Sequence, residues 1–351
     1  MKAAIFRGPR NFEVQEIPTP AVGERDVLIQ VDYCSICGSD LHTYTKGLYV
    51  SPGQIMGHEF GGTIVELGSA LKDKGFHVGQ RVVTNPTIAC GHCVMCRKGM
   101  PNICETALTR TLAYGKPGAF AQYVLQGGDG FFYPLPESVS TKEGAMMEPL
   151  AVAVHAVKRA NLSLNDTAVV FGAGTLGLLV SQVLKSIGNI RVIQVDLSEK
   201  RLEVARQTGV DYTINPAEVE DVVAEIAAIT GPGYYGPGGA AADVVFECAG
   251  VPATVLQSLR VVRHGGTVVT LALAEKPAPI DITVITQKQI SFLGTYAYTN
   301  DFEEAVDLVA SGKVRVEPLI SHVYPLAQIG EAFEMQLNAK ESVKVVVDCR
   351  Q

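Results

Sequence analysis

The sequence predicts an α/β protein, a doubly wound parallel sheet joined to a second, β-rich domain. Three observations predict it. From Thr167 onward, short apolar runs alternate with helical patterns. Before about residue 135 the chain instead reads as brief strands bounded by Gly, Pro and Asp. Between these textures a glycine triplet, Gly172-Ala-Gly174-Thr-Leu-Gly177, stands where a strand gives way to a helix.

In the β-rich part, residues 26–33, 62–67 and 119–125 read as strands. Ser140 with Glu143 three residues on is a helix-start signature, and it introduces an apolar, Ala-rich helix over 145–159, interrupted at Pro149. The alternating part runs strand 167–171, helix 175–187, strand 191–195 and helix 200–208, with later strands at 243–247 and 266–273. Residues 301–311 read as helix and 343–348 as strand, and chain topology returns them to the first domain. The expected division is 1–151 with 297–351 against 152–296. The run from Gly231 to Gly239, rich in Gly, Pro and Tyr, is expected to be a surface loop, with a functional lid as the alternative.

At 351 residues the chain exceeds one comfortable core, which favours two domains. A net charge of −7 leaves no basic stripe to neutralise phosphates, so no nucleic-acid partner is expected. Neither an apolar leader nor a run of ~18 apolar residues is seen, so no membrane span is expected. Four of the eight cysteines stand at metal-binding spacing, which favours a reducing cytoplasm over a disulfide framework.

Those four are Cys90, Cys93, Cys96 and Cys104. Their spacing suits one tetrahedral Zn2+, and four sulfur ligands leave no open corner, so such a metal is structural. His92 between them is expected to be exposed. The glycine triplet has the context that dinucleotide binding requires, with Asp196 ending the next strand. Gly172 permits the tight turn, Gly174 lets a pyrophosphate approach, and Gly177 allows close packing of helix on strand. Asp196 would accept from ribose hydroxyls and repel a 2′-phosphate, selecting NAD over NADP.

A second constellation comprises Cys37-Gly-Ser39-Asp-Leu-His42, then Gly57-His58-Glu59, then Glu148-Pro149. Singly, each has an ordinary reading: a buried thiol, a turn histidine, a carboxylate near a helix bend. Cys34 and Cys37 even match a redox pair, without the fold context that such a pair needs. Together they supply one sulfur, one imidazole and one or two carboxylates, a set suited to a catalytic Zn2+ with an exchangeable position.

These motifs, in this order and spacing, resemble the zinc-dependent medium-chain dehydrogenases of the alcohol and polyol dehydrogenase superfamily. The resemblance covers the whole chain and is strongest to the sorbitol and (R,R)-butanediol dehydrogenase branch, on Glu59 after His58 and on Glu148-Pro-Leu150. It implies a GroES-like catalytic domain carrying the zinc lobe at about 86–105, and a Rossmann domain that binds NAD. It implies two Zn2+ per chain, the catalytic one held by Cys37, His58 and either Glu59 or Glu148. Ser39 and His42 match proton-relay positions; otherwise Ser39 would cap the short helix after Cys37. Leu176 lies within the dinucleotide loop, and Arg201 matches a position against the adenosine. Leu271, Leu273 and Thr295 match strand ends that cradle the nicotinamide. Cys34, Cys248 and Cys349 remain packing residues.

The activity so implied is reversible oxidation of a secondary alcohol. The substrate so implied is a vicinal diol or polyol. By the resemblance, Ala297 stands where polyol enzymes carry an arginine, which favours a shorter or less polar diol, hydroxy ketone or simple secondary alcohol, with a vicinal diol as the expectation. A threonine dehydrogenase, a simple secondary-alcohol dehydrogenase and a non-catalytic NAD-binding sensor are the alternatives. Relatives pair as homodimers or homotetramers through the strands near 268–273 and 291–296.

Overall fold

In the computed structural model the chain opens with a hairpin, β1 (Lys2–Gly8) and β2 (Asn11–Glu16). There follow β3 (Asp26–Ser35), the helix α1 (Gly38–Lys46), β4 (Glu59–Leu67) and β5 (Arg81–Thr84). Two one-turn helices, α2 (Val94–Arg97) and α3 (Ala107–Arg110), precede β6 (Tyr123–Gly127) and β7 (Phe132–Pro134). Then come α4 (Thr141–Gly144) and α5 (Met147–Arg159). The structure describes residues 1–71, 74–128, 131–233, 239–274 and 276–351.

The alternating stretch comprises β8 (Thr167–Phe171), α6 (Thr175–Ser186), β9 (Arg191–Val195), α7 (Glu199–Gln207) and β10 (Tyr212–Ile214). It continues with α8 (Val222–Thr230), β11 (Ala242–Glu247), α9 (Pro252–Val261), β12 (Val262–Thr270), α10 (Ile282–Lys288) and β13 (Ser291–Gly294). The chain ends with α11 (Phe302–Ala310), β14 (Ile320–Pro325), α12 (Ile329–Leu337) and β15 (Lys344–Asp348).

Contacts divide the chain into two units. Unit 1 is Met1–Pro149, Thr299–Ala310 and Ile320–Gln351; unit 2 is Leu150–Tyr298 and Ser311–Leu319. In unit 1 the sheet runs β14-β15-β3-β4-β5-β7, with β6 also paired to β3. Strand β15 is buried at every residue, so the last strand of the chain forms part of the interior. Phe333 of α12 packs against Phe12, Tyr44 and Phe120, with ring centroids 4.8, 4.9 and 5.6 Å away. A fully buried phenylalanine of this kind stabilises by roughly 3 kcal/mol, so α12 is a structural requirement of unit 1.

Unit 2 is built on six parallel strands in the order β10-β9-β8-β11-β12-β13. Counted from β8, that is the 3-2-1-4-5-6 order of a dinucleotide-binding doubly wound sheet, whose order reverses between β8 and β11. Strand β8 is buried at all five residues, as a strand covered on both faces must be. Gln194 is a buried polar residue in β9, and its partners explain it. Its Nε2 donates to Gly172 O at 2.8 Å and Val170 O at 3.2 Å, while its Oε1 accepts from Ser181 Oγ at 2.5 Å.

Several boundaries differ from the sequence reading. The Ser140 and Glu143 box is formed, but it opens only the single turn α4, and α5 begins afresh at Met147. Pro149 therefore lies in the first turn of α5, where its missing N–H costs no hydrogen bond, and does not interrupt the helix. Strand β6 starts at Tyr123 rather than 119, and Ala121 makes only an isolated bridge to Ala3. Strand β12 covers Val262–Thr270, so Leu271 and Leu273 follow it. Of the expected 231–239 loop, residues 234–238 lie outside the described residues. Its stem closes through Gly233 N donating to Gly239 O at 2.8 Å.

Candidate active site and metal centres

The first site is assembled in unit 1 from the ends of β3, α1 and β4. Cys37 is the residue before α1, and its N–H donates to Asp40 Oδ2 at 3.0 Å, which closes the first turn. His58 immediately precedes β4, and Glu59 is the first residue of that strand. Gly57 before them has φ 91°, and a side chain there would meet Cys34 Sγ at 2.8 Å. Only glycine allows this turn. The result brings one ligand atom each of Cys37, His58 and Glu59 within 4.8 Å of one another. Glu148, in the first turn of α5, is not among those three.

The surroundings of His58 favour positive charge on its ring. Burial opposes a charged His58, yet Cys37, Asp40 and Glu148 together raise its pKa well above the ordinary imidazole value. Its Nδ1 is buried without a hydrogen bond, and Asp40 Oδ1 stands 3.9 Å away. A sulfur, an imidazole and a carboxylate converging in negative surroundings fit a divalent metal such as zinc.

Glu59 is held from behind. Its Oε2 lies 2.5 Å from Lys344 Nζ, and both side chains are buried. The hydroxyl of Ser35 also bonds Oε2 and the carbonyl of Ala145 (2.9 Å for the latter). Lys344 Nζ donates further to Ile36 O at 2.9 Å. Burial alone would favour neutral Lys344, but Glu59 and then Cys37 raise its pKa instead. Ser35 and Lys344, which hold Glu59 in place, are residues that motif reading missed. Lys344 did leave a signal, a single charge within the apolar run 343–347.

Ser39 lies in the first turn of α1, one residue inside it rather than at its cap. Its Oγ accepts from the hydroxyl of Tyr114 at 2.8 Å. Burial, then Asp40 and Cys37, push the Tyr114 phenol well above its ordinary range, so it stays protonated and donates. The Tyr114 ring lies 5.7 Å from that of His58. His42 is half-buried with its ring 6.5 Å from Tyr49 in an edge contact. Nothing local in the sequence marked Tyr114.

The four-cysteine lobe is also formed. Sγ atoms of Cys90, Cys93, Cys96 and Cys104 all lie within 4.8 Å of one another. Cys90 Sγ and Cys96 Sγ are 3.9 Å apart, against about 3.8 Å for two corners of a tetrahedron with Zn–S bonds of about 2.3 Å. Backbone N–H groups point at sulfur throughout: Cys90 N to Cys104, Cys93 N to Cys90, and Cys96 N to Cys93, at 3.3, 3.3 and 3.4 Å. Such donors stabilise thiolates. At Cys104 burial opposes ionisation, but the N–H groups of Cys90 and Thr106 bring the pKa down to about 6. His92 is exposed, with Nδ1 2.9 Å from Cys90 O.

In unit 2 the glycine loop connects β8 to α6 at the point where the strand order reverses. A Cβ on Gly177 would fall 1.8 Å from Gly172 O, so helix and loop touch there. A Cβ on Gly174 would meet only Arg201 Nη1, at 4.0 Å, which leaves that side of the loop open to a ligand. Leu176 occupies the first turn of α6. Asp196 holds the loop, its Oδ2 accepting from Ala173 N at 2.6 Å and its Oδ1 from Ser198 N at 2.8 Å. Burial lowers the Arg201 pKa while Asp196 raises it, the first effect being larger. Leu271 is buried just past β12, whereas Leu273 is 53% exposed. Thr295, just past β13, has a buried hydroxyl without a hydrogen-bond partner. A cradle open at Gly174, with an acidic residue at the end of β9, fits a dinucleotide.

Residues 23–137 match the alcohol dehydrogenase GroES-like domain, and residues 175–311 match the zinc-binding dehydrogenase family. Sorbitol dehydrogenase of Bacillus subtilis (strain 168) is 34% identical over 354 residues, covering 99% of this chain and 97% of that protein. The crystal structure of 2R,3R-butanediol dehydrogenase from Bacillus subtilis superposes with a TM-score of 0.88 at 32% identity, covering 99% of each chain. A zinc-binding dehydrogenase from Sinorhizobium meliloti 1021, solved with NADP, gives 0.88 at 32% identity, covering 99% of this chain and 98% of that one. The chain belongs to the zinc-dependent medium-chain dehydrogenase family. Within it, the similarity runs to the sorbitol and butanediol dehydrogenase branch, and the protein is an oxidoreductase of the alcohol dehydrogenase class. Among the described residues, no helix is long and apolar enough to cross a membrane.

Proposed function

We propose that the protein catalyses the reversible NAD-dependent oxidation of a secondary alcohol, a vicinal diol or polyol, to the ketone. The convergence of Cys37, His58 and Glu59, with Ser39 two residues after Cys37, carries this reading. When bound, zinc supplies a Lewis acid for the alcohol oxygen and NAD takes up the hydride. The chain's own residues do the rest. Cys37 and His58 hold the metal, with Glu59 or Glu148 as the third protein ligand. Because Lys344 and Ser35 both occupy Glu59 Oε2, Oε1 is the oxygen left for the metal. Ser39 takes the hydroxyl proton, and His42 passes it to solvent. Cys90, Cys93, Cys96 and Cys104 hold a second, structural zinc.

In unit 2, Gly172, Gly174, Leu176 and Gly177 receive the pyrophosphate. Asp196 and Arg201 flank the adenosine ribose, and Leu271, Leu273 and Thr295 surround the nicotinamide. On this reading unit 1 is the catalytic domain and unit 2 the cofactor domain. Asp196 supports NAD, since a carboxylate there repels a 2′-phosphate. Ala297, with φ 51°, stands where the family resemblance places an arginine in polyol enzymes, which supports a short diol. A homodimer or homotetramer paired along the β13 edge, in the cytoplasm, completes the proposal.

The decisive experiment is a cofactor-linked screen of vicinal diols, sugar alcohols, threonine and simple secondary alcohols, both enantiomers, with NAD+ and NADP+. Activity on short diols with NAD+ is expected. Turnover of sugar alcohols alone, or a preference for NADP+, would refute the corresponding part. A protein that binds NAD+ yet oxidises none of these would be the non-catalytic sensor instead.

A further inference from the structure

We infer that Tyr114 is a positioning residue for Ser39, fixing which lone pair and which proton the serine has free. This rests on the relay reading proposed above. The loop that carries Tyr114 is built to present it. Ala113 is buried yet adopts the left-handed region at φ 72°, a conformation that persists only when its surroundings impose it. Those surroundings are specific. Thr111 O accepts from the N–H groups of Tyr114, Gly115 and Lys116, at 3.3, 3.0 and 3.1 Å, and Leu112 N donates to Pro86 O at 3.0 Å. Gln54 Nε2 clamps the outer side by donating to Tyr114 O at 3.2 Å and Lys116 O at 2.7 Å. This backbone delivers the phenol to Ser39 Oγ at 2.8 Å, with its ring beside His58 and, at 6.5 Å, Tyr49.

The consequence is a count of donors and acceptors. A serine hydroxyl has one proton and two lone pairs. Tyr114 donates into one lone pair, leaving Ser39 a single acceptor site and its own proton. That is the set a relay needs. As the substrate O–H bond breaks, its proton enters the remaining lone pair, and the original Ser39 proton passes on through His42 to solvent. Ser39 ends neutral and Tyr114 keeps its proton throughout. Without the phenol, Ser39 could spin between rotamers and bond water instead.

Tyr114→Phe tests this, because it removes the hydroxyl and retains the ring beside His58. Zinc content and NAD+ affinity, measured without turnover, are expected to match the wild type. The turnover number should fall about tenfold, the size of one neutral hydrogen bond, with KM little changed and the pH profile of kcat altered. In a Ser39→Ala background the same change should have no further effect. A Tyr114→Phe enzyme with wild-type kcat and pH profile, where Ser39→Ala is slow, would overturn the role of Tyr114 alone. So would an effect that simply adds to that of Ser39→Ala. If Ser39→Ala itself ran at full rate, the relay would fall and this assignment with it.

Discussion

Lys344 Nζ lies 2.5 Å from Glu59 Oε2, with each side chain almost wholly withdrawn from solvent. The pair ties β15 to the first residue of β4 at the back of the candidate catalytic metal site. Removing one member strands the other as a buried charge, which costs about 3–5 kcal/mol. Lys344→Met is therefore expected to lower unfolding stability by that amount and to lower occupancy of the metal site proposed at Cys37, His58 and Glu59. Pairing it with Glu59→Gln should restore much of the stability, but not the metal. Urea unfolding together with zinc analysis checks both halves; a Lys344→Met protein of wild-type stability would show that the pair is not needed.

The two metal centres separate by substitution. Wild-type protein is expected to carry two zinc ions per chain, one for each cluster. Cys37→Ser should leave one and abolish activity while the lobe and thermal stability persist. Cys90→Ser should also leave one, but with a lowered unfolding midpoint or altered assembly. Identical zinc loss and identical stability in the two variants would mean that the lobe does not brace the fold.

Two glycines of the same loop should fail in different ways. Gly177→Ala places a methyl group 1.8 Å from Gly172 O. Overpacking against backbone typically costs about 1–3 kcal/mol, so the melting temperature should fall along with NAD+ binding. Gly174→Ala meets nothing nearer than Arg201 at 4.0 Å. It should keep its melting temperature and still lose cofactor affinity, since the methyl stands on the open side. Cofactor fluorescence titration and calorimetry distinguish the two, and unaffected affinity in Gly174→Ala would place the dinucleotide elsewhere.

Tyr44 gives unit 1 an alkaline limit. Burial, then its hydrogen bond to Glu334 at 2.9 Å, raises the phenol from 10.0 to about 12. Below pH 10 the phenol is neutral in folded and unfolded chains, and the stabilisation is fully present. Between pH 10 and about 12 the unfolded chain ionises first, so stability is lost as pH rises through that window. Tyr44→Phe should lower stability at neutral pH and flatten the decline above pH 10. Unfolding at a series of alkaline pH values would read this out, and parallel curves for the two proteins would exclude it.

What the sequence disclosed depended on how far apart the cooperating residues lie. Strand β8, the glycine loop and α6 form one continuous stretch, so apolar runs and turn chemistry reveal them together. Cys90, Cys93, Cys96 and Cys104 likewise share one short loop. Cys37, His58 and Glu59 are legible because residue type narrows the choices even across a separation of 22 residues. The supports behind them are not. Lys344 bonds Ile36 across a separation of 308 residues, and Tyr114 reaches Ser39 across 75. No local pattern encodes such pairs. The helix boundaries near Glu148 failed for another reason. Ser140 and Glu143 announce where a helix starts, but not that it stops after one turn at Gly144.

The placement of β15 between β14 and β3 bears on the order in which the protein can mature. A ribosome makes β3, α1 and β4 early, yet Glu59 then faces the interior without its counter-charge. All of unit 2 is synthesised before α12 and β15 arrive, and its parallel sheet holds every strand it needs by then. The later-encoded unit can thus complete itself first, while the earlier-encoded one waits for Lys344. Interrupted synthesis would then leave a cofactor fold without a competent metal site, so a truncated product could hold dinucleotide but not turn it over.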